Sequence, residues 1–305
     1  MSSPADPFGT RPGCVWAPDE PESCPAVPIF DDRRAGASAL ASMVPIRPLG
    51  PHVDGAPLFC LAGEAGLAWS YAGLLDHLDP RVPVYGIQAP VTTAAPRTVR
   101  ESATRAVAEI RGIAPHGPYQ LLGWSAGGFV AHEIAVLLRA AGEHVDVVVL
   151  HADPAACEAV PPPRATAGEF VYRFGPLLAV EADTAGLSPE ETAAVLVRAL
   201  AGTVELTGAD LDRLTEAADA AARMVAGHHP SVLTGDLIVG VAGREPDGTA
   251  RPTPEAVVRN WHRYVEGAVT GFVLDATPDE LTAPDLLPDL ARVLATAAAA
   301  GRTAC

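Results

Sequence analysis

The sequence contains no lysine: its 21 basic residues are all arginines, and 37 acidic residues give a formal net charge of −16. A phosphate-backbone binder needs a basic stripe, so this balance argues against nucleic acid as a partner. No uninterrupted apolar run reaches the roughly 18 residues of a membrane span, although 49% of the residues are hydrophobic. The first ten residues also lack the basic and apolar regions of a secretory signal. We therefore expect a cytoplasmic globular protein that binds neither nucleic acid nor membrane.

Cysteine is also scarce, and the five that are present show no paired spacing typical of metal ligands. Scattered thiols in a cytosolic chain are usually free, so the sequence predicts no metal site. These residues are Cys14, Cys24, Cys60, Cys157 and Cys305.

The chain divides into an N-terminal arm and one domain. Residues 1–47 are rich in proline, small and charged residues without a sustained period, which is typical of a flexible arm. The alternative is a strap that lies on the domain. Over residues 48–305, unbroken apolar runs alternate with helical segments, which predicts an α/β fold with a mainly parallel sheet covered on both faces. The predicted strands are 57–62, 83–88, 118–124, 145–151, 236–242 and 270–275, and the predicted helices are 67–77, 98–113, 127–141, 253–264 and 285–299.

A helical block interrupts this alternation between about residues 155 and 230. It opens with three prolines at 161–163 and continues as predicted helices over 167–178, 189–202 and 208–226. Because the block follows a sheet strand, it is expected at the edge where strand C-termini point, as a lid over an active site. The alternative is an insertion without a role at the site.

A nucleophile motif lies at the turn from the third predicted strand to the helix that follows it, where Gly123, Ser125 and Gly127 form the pattern G-x-S-x-G. In this motif a serine occupies a sharp turn from strand to helix, and small residues on either side allow backbones to approach closely. An apolar strand before the motif and an amphipathic helix after it provide the required context. The helix N-terminus also favours negative charge near the serine. Ser125 is therefore predicted to be a catalytic nucleophile.

The sequence around this motif resembles the thioesterase domains of nonribosomal peptide and polyketide synthases. The resemblance extends over roughly residues 45–300 and implies an α/β-hydrolase fold. It also implies transfer of an acyl group from the phosphopantetheine thioester of a carrier protein to serine. The stretches that carry it are 57–60 (PLFC), 67–74 (LAWSYAGL), 84–90 (VYGIQAP), 110–128 (IRGIAPHGPYQLLGWSAGG) and 235–237 (GDL), with Trp261, Tyr264, Val265 and Gly267.

Two parts of the family pattern are altered. The first glycine-rich loop usually reads His-Pro-Ala-Gly-Gly, whereas residues 62–66 read AGEAG. The resemblance implies that this loop gives one oxyanion-hole N–H, from Glu64, and that Ala126 gives the second. A Glu64 side chain that faces solvent would leave the backbone donor intact. The acid position of the family falls on Ala152, and we predict that the next residue, Asp153, is the acid.

The expected catalytic base is missing. The family pattern Asp-x-Thr-His-Asp-x-Leu corresponds here to residues 275–281 (DATPDEL), so Pro278 stands in place of the histidine. Proline cannot accept the serine proton. His151, two residues before the predicted acid, is the substitute that topology favours; the alternative is a partly buried structural histidine. No histidine follows His262.

The sequence thus predicts a thioesterase-like enzyme with an atypical triad that acts on a carrier-bound acyl or peptidyl chain. One alternative is a non-hydrolytic module that binds a carrier protein, and another is an acyltransferase or cyclase in which a substrate amine acts as the base. No cofactor of its own is expected, because phosphopantetheine arrives on the carrier. Since carriers tend to be acidic, docking is expected to use exposed arginines; ordinary solvated faces are the alternative. The candidates are Arg97, Arg100, Arg105 and Arg111 around one helix, and Arg251, Arg259 and Arg263 around another.

Overall fold

The computed structural model describes residues 27–28, 43–63, 68–88, 96–160, 164–174, 184, 186–199, 204–251, 253–281 and 283–303. Seven strands form the central sheet, in the order β2-β4-β3-β5-β6-β8-β9, and β1 and β7 form a separate two-stranded pair. All neighbours in the central sheet are parallel except β2, which is antiparallel to β4. The strands are β1 (Val27–Pro28), β2 (Met43–Arg47), β3 (Leu58–Leu61), β4 (Val84–Ile87), β5 (Tyr119–Trp124), β6 (Val145–Leu150), β7 (Val204–Glu205), β8 (Leu237–Ala242) and β9 (Val269–Leu274).

Helices cover both faces of this sheet, which confirms the predicted α/β-hydrolase architecture. The helices are α1 (Val99–Ile113), α2 (Ala126–Ala140), α3 (Ala167–Phe174), α4 (Pro189–Ala199), α5 (Gly208–Val225), α6 (Glu255–Trp261) and α7 (Leu287–Thr303). Short 3₁₀ helices occupy Trp69–Asp76, Pro154–Glu158, His262–Tyr264, Pro278–Glu280 and Pro284–Leu286. None of the helices in the described ranges is long and apolar enough to cross a membrane.

The alternation of side chains along the strands divides the core into two layers. Leu121 of β5 and Val149 of β6 face a layer that contains α1, α2 and α6. Leu122 and Leu150 of the same strands face the other layer, which contains α7 and the 3₁₀ helix Trp69–Asp76. Buried residues of α3 and α4, and Leu211 and Leu214 of α5, belong to this second layer, as does Trp124, the last residue of β5. Ala221 and Val225, near the end of α5, belong to the first layer. Helices α3 and α4 and the first part of α5 therefore pack in the same layer as Trp124, whereas the end of α5 packs in the layer of α2.

The N-terminal boundary differs from the predicted one. Met43–Arg47, placed in the arm by composition, forms the antiparallel edge strand of the central sheet. Its Pro45 removes one main-chain donor, a loss that an edge strand tolerates because one side has no partner strand. Arg47 fixes the strand end by donating to the carbonyls of Val82 and Asp79, each at 2.8 Å. Apart from Val27–Pro28, the rest of residues 1–42 lies outside the described residues.

Candidate active site

The C-terminal end of β5 turns abruptly into α2 at Ser125. This residue has φ 51° and ψ −120°, a backbone conformation that non-glycine residues rarely adopt. Its N–H donates to the carbonyl of Leu150 at 2.8 Å, and its carbonyl accepts from Gly128 N–H at 2.9 Å. Strained residues of this kind cost about 1–3 kcal/mol and concentrate at functional sites. The geometry is that of a nucleophile elbow.

The glycines of the motif are required by close backbone contacts. A Cβ at Gly123 would lie 2.2 Å from the carbonyl oxygen of Gly127, and a Cβ at Gly127 would lie 2.4 Å from the carbonyl oxygen of Ala62. A Cβ at Gly128 would lie 2.7 Å from Cβ of Ala152. Since backbone atoms cannot move away cheaply, only glycine fits at 123 and 127. The turn therefore brings the start of α2 against the ends of both β3 and β6.

One of the two predicted oxyanion donors is placed by the structure. Ala126 is the first residue of α2 and is 4% exposed, so its backbone lies at the helix N-terminus beside Ser125. Glu64 lies outside the described residues. The preceding residue, Gly63, packs against the ring of Trp124, where an added Cβ would lie 2.5 Å from a ring carbon. The roles assigned to Ala126 and Glu64 stay predictions.

His151 ends β6 in the same way that Ser125 ends β5. It has a φ of 48°, and its N–H donates to the carbonyl of Gly240 in β8 at 2.7 Å. The ring lies at the end of β8: Nδ1 is 3.4 Å from the N–H of Ala242, and Nε2 is 3.4 Å from Nη2 of Arg251. Burial, and then the Arg251 charge, lower the pKa of His151 to about 4. Because β8 and β5 flank β6 on opposite sides, these contacts direct the ring away from β5.

Asp153 is held by a set of structural contacts. Its Oδ1 accepts from the N–H of Ala155 at 3.0 Å, which makes it the N-cap of the following 3₁₀ helix. The same oxygen accepts from Nδ2 of Asn260 at 2.8 Å. Nε1 of Trp261 donates to the carbonyl of the neighbouring Ala152 at 2.7 Å. The end of β6 is thus tied to α6, and the predicted acid role of Asp153 would have to be compatible with these bonds.

The loop after β9 is compact around Pro278. Asp275 forms a two-bond ion pair with Arg244 at 2.7 and 2.9 Å, which lowers the pKa of the Asp275 carboxyl. Thr277 and Glu280 cap each other reciprocally around Pro278, the first residue of a 3₁₀ turn. Proline suits that position because a first-turn N–H has no partner within the helix. Pro278 is therefore compatible with the hydrogen bonds and the ion pair that order this loop.

Two other histidines lie in the layer that contains α2. The ring of His132 is fully buried 4.6 Å from the ring centroid of Trp261, and burial lowers its pKa to about 4. His228 contacts Phe129 edge-on, with ring centroids 6.0 Å apart. Burial also lowers the pKa of His228, partly offset by the nearby Glu133 carboxylate. Both residues pack around the elbow helix and have the environment of structural histidines.

Sequence reasoning overlooked the part that Arg251 has at this edge of the sheet. It was considered only for docking, but its side chain is 19% exposed and ion-paired with Glu245 at 3.1 Å. Its Nε also donates to the carbonyl of Ala242 at 3.0 Å. No spacing or motif marks such a contact in advance, because a turn after β8 brings Arg251 back over the strand end. Asn260, which binds Asp153, carried no signal either.

Most arginines of α1 are paired with carboxylates. This weakens their predicted role in docking, since a carrier would have to compete with these partners. By contrast, Arg259 and Arg263 are exposed, and the Arg263 guanidinium lies 5.9 Å from the ring centroid of Tyr264. The ion pairs are Arg100 with Glu133, Arg105 with Glu101 and Arg111 with Glu143. Arg97 precedes α1, and its backbone N–H donates to Glu101.

An open cavity of about 600 Å³ lies within the helical insertion. Its lining does not include Ser125, and it carries the Arg164–Glu216 ion pair at 3.6 Å. We do not assign it to the acyl site. Among the described residues, no group of three His, Cys, Asp or Glu side chains is arranged to hold a metal ion.

Comparison with known proteins gives one family. A family model described as a thioesterase domain matches residues 56–224. Malpinin synthetase from Mortierella alpina is 32% identical over 256 residues, which are 83% of this chain and 3% of that synthetase. The chain thus spans a small fraction of the relative it matches.

Solved structures show the same fold. A four-domain nonribosomal peptide synthetase, AB3403, matches with a TM-score of 0.65 and 22% identity, over 83% of this chain and 20% of that chain. The thioesterase domain of NocB, in covalent complex with a fluorophosphonate nocardicin G analogue, matches with a TM-score of 0.58 and 23% identity. That match covers 81% of this chain and 96% of the NocB domain.

Proposed function

This chain belongs to the thioesterase domain family, and we propose that it accepts an acyl or peptidyl group from a carrier-bound thioester onto Ser125. The observation that carries the proposal is the strained elbow, in which Ser125 has φ 51° at the N-terminus of α2. Such strain is retained only where the surrounding structure enforces it. Here the glycine contacts at 123 and 127 enforce it.

In the proposed reaction, Oγ of Ser125 attacks the thioester carbonyl carbon. The C–S bond breaks, the proton of the serine hydroxyl passes to the leaving carrier thiolate, and an ester forms on Ser125. Backbone N–H groups of Ala126 and Glu64 would stabilise the oxyanion. The phosphopantetheine arm arrives on the carrier, so the chain would hold no cofactor of its own. We propose that this chain meets its carrier protein in the cytoplasm.

We propose that the acyl group is released from Ser125 by a substrate amine, which needs no separate general base on the protein. Pro278 cannot take a proton, and the His151 ring contacts Ala242 and Arg251 at the end of β8. Water therefore lacks the histidine that usually activates it. A substrate amine needs less assistance, since its free form is already nucleophilic. Transfer or cyclisation is thus favoured over hydrolysis.

A second function, carrier binding without hydrolysis, is favoured by the same loop. The reciprocal cap between Thr277 and Glu280 stabilises the loop with proline in place, as expected of a chain that no longer needs a base there. In either case the helical insertion would act as the lid, because α3, α4 and the first part of α5 pack in the same layer as Trp124. The exposed Arg259 and Arg263 are the preferred docking residues.

Intact-mass spectrometry after incubation with an acyl-loaded carrier tests the proposal. Transfer should add the acyl mass to the wild-type protein and not to Ser125→Ala. Ser102→Ala, which removes a serine of α1, serves as the matched control and should still be acylated. A fluorophosphonate probe should give the same pattern of labelling. A wild-type protein that binds the loaded carrier but gains no mass would instead support the binding function.

A further inference from the structure

The helical insertion begins and ends at two chain segments that are bonded to each other. It leaves the sheet through the 3₁₀ helix Pro154–Glu158, which follows β6, and it returns to β8 through residues 226–233, called here the return segment. The N–H of Gly227 donates to the carbonyl of Cys157 at 2.7 Å. Gly227 has a φ of 76°, a conformation that favours glycine. The two ends of the insertion therefore meet at the helix that follows β6.

The return segment runs along the elbow helix α2. The ring of His228 contacts Phe129, which lies in the first turn after Ser125. About one helical turn further along α2, Oγ of Ser231 donates to Oε1 of Glu133 at 2.9 Å. The contacts follow the same order in both segments, 228 with 129 and 231 with 133, so the return segment leads away from Ser125 beside α2. It is thus fastened to the helix whose N-terminus carries the serine.

Glu133 is the polar centre of this contact. It is 1% exposed, and its Oε1 accepts from Oγ of Ser231 and from Nη1 of Arg100 in α1. Burial raises the pKa of the Glu133 carboxyl, but the hydrogen bonds from Arg100 and Ser231 outweigh burial and hold that pKa below its ordinary value. A buried carboxylate that loses one of its donors keeps its charge without full compensation. The Ser231 hydroxyl therefore contributes more to holding the return segment than an exposed hydrogen bond would.

We propose that Glu133 is a latch residue: through Ser231 it holds the return segment, and the end of α5 before it, against the elbow helix, and it thereby limits the opening of the insertion over Ser125. The end of α5 lies in the same layer as α2, with Ala221 and Val225 buried there. Glu133 is a positioning residue, since it acts through Ser231 and not on substrate. Its effect on access to Ser125 rests on the lid role and the acyl transfer proposed above. The latch itself is a property of the fold and is tested separately.

The chain offers a matched control in Thr234, three residues after Ser231. Its hydroxyl also donates to a carboxylate, that of Glu266, at 3.1 Å, but this pair is exposed and does not involve α2. Ser231→Ala removes the latch bond and leaves the ion pair between Arg100 and Glu133 in place. Thr234→Val removes the same kind of bond a few residues later. Ser231→Thr is the conservative variant, because it keeps a hydroxyl opposite Glu133.

Hydrogen exchange of the whole chain, followed by mass spectrometry, tests the latch. Because hydrogen bonds to charged groups are among the stronger ones, Ser231→Ala should open the end of α5 about tenfold more often. Peptides that cover residues 218–233 should therefore exchange about tenfold faster, while peptides of β5 keep their wild-type rates. Thr234→Val and Ser231→Thr should stay within about twofold of wild type. Wild-type exchange in Ser231→Ala would overturn the latch. Faster exchange throughout the chain, β5 included, would overturn it too, because the bond would then stabilise the whole domain.

Access to Ser125 is tested with two fluorophosphonates, one that carries a methyl group and one that carries a long acyl-like chain. If the insertion closes over Ser125, the long probe reacts only with the open form, so its rate follows the open population. Its labelling rate divided by that of the methyl probe should rise at least about threefold in Ser231→Ala and stay within about twofold of wild type in the two other variants. This ratio cancels any general change in the reactivity of Ser125.

The outcomes separate the latch from the proposed reaction. An unchanged ratio together with faster exchange at the end of α5 would overturn the role in access and leave acyl transfer intact. A wild-type protein that neither probe labels would refute acyl transfer, and the access role with it, while hydrogen exchange would still decide the latch.

Discussion

The neighbouring strands β5 and β6 end at Ser125 and His151 with the same backbone conformation, but the two side chains have different surroundings. Each is a non-glycine residue with positive φ, and each donates its N–H to a carbonyl of the next strand, Leu150 or Gly240. After Ser125 the chain enters α2, and the hydroxyl stays at the helix N-terminus. After His151 the ring lies back over β8 against Arg251. The same backbone conformation thus places the two side chains in different surroundings, the N-terminus of α2 for Ser125 and the end of β8 for His151.

The largest expected effect on stability comes from Gly127→Ala at the elbow after β5. Gly127→Ala would place Cβ 2.4 Å from a backbone oxygen of Ala62, so the strand or helix must shift. We expect a loss of about 3 kcal/mol in the free energy of unfolding, measured by urea denaturation. Gly112→Ala in α1, with nothing within 4 Å of the new Cβ, should instead gain about 0.5–1 kcal/mol. Equal stability of the two variants would contradict the packing at the elbow.

Restoring a base tests whether His151 is truly excluded from the reaction. If the loop after β9 keeps the family's path, Pro278→His should raise hydrolysis of a simple acyl thioester at least about tenfold, because a general base typically contributes about 10²- to 10⁴-fold. This allows for imperfect orientation by Asp153. The gain should disappear when Ser125→Ala is added. A folded Pro278→His protein without a gain would favour the binding function, or a site in which His151 already serves as the base.

The two strained residues should also respond differently to glycine. Ser125→Gly should be more stable than Ser125→Ala by about 1 kcal/mol, because glycine adopts φ 51° without strain. His151→Gly should give no such gain, since it also loses the ring contacts with Ala242 and Arg251. Thermal unfolding measures both. A stabilised His151→Gly would mean that those ring contacts contribute little.

The smallest effect concerns acid. The pKa of His151 is about 4 in the folded protein, against about 6.5 for an unperturbed histidine, so the unfolded chain binds more protons between these values. Stability contributed by neutral His151 is complete above pH 6.5 and is lost as pH falls toward 4. His151→Asn, which tolerates positive φ, should reduce this acid sensitivity by on the order of 1 kcal/mol. Unfolding curves at pH 7 and pH 4.5 that respond to pH alike in both proteins would show that the ring is not buried neutral.

How much the sequence revealed depended on whether a feature is local. The elbow was predictable because the strand, the G-x-S-x-G turn and the helix follow one another directly in the sequence. The N-cap role of Asp153 is also readable, since an aspartate before a proline at 154 is a helix-start signal. The direction of the His151 ring was not readable, because it depends on a single positive φ and on Arg251, a hundred residues later. Strand β2 could not be predicted from composition either, because its proline is compatible with an edge strand and with a loop.

The connection between β6 and β8 has a consequence for how such a domain can vary. Val149 pairs with Val239, although the whole helical insertion lies between them in the chain. Closing a chain segment costs entropy that grows only with the logarithm of its length, by about 0.6 kcal/mol for each doubling. An insertion half or twice as long would therefore change the assembly of the sheet very little. If the insertion is the proposed lid, the space that it encloses can be enlarged or reduced while the strand ends that hold the serine stay in register.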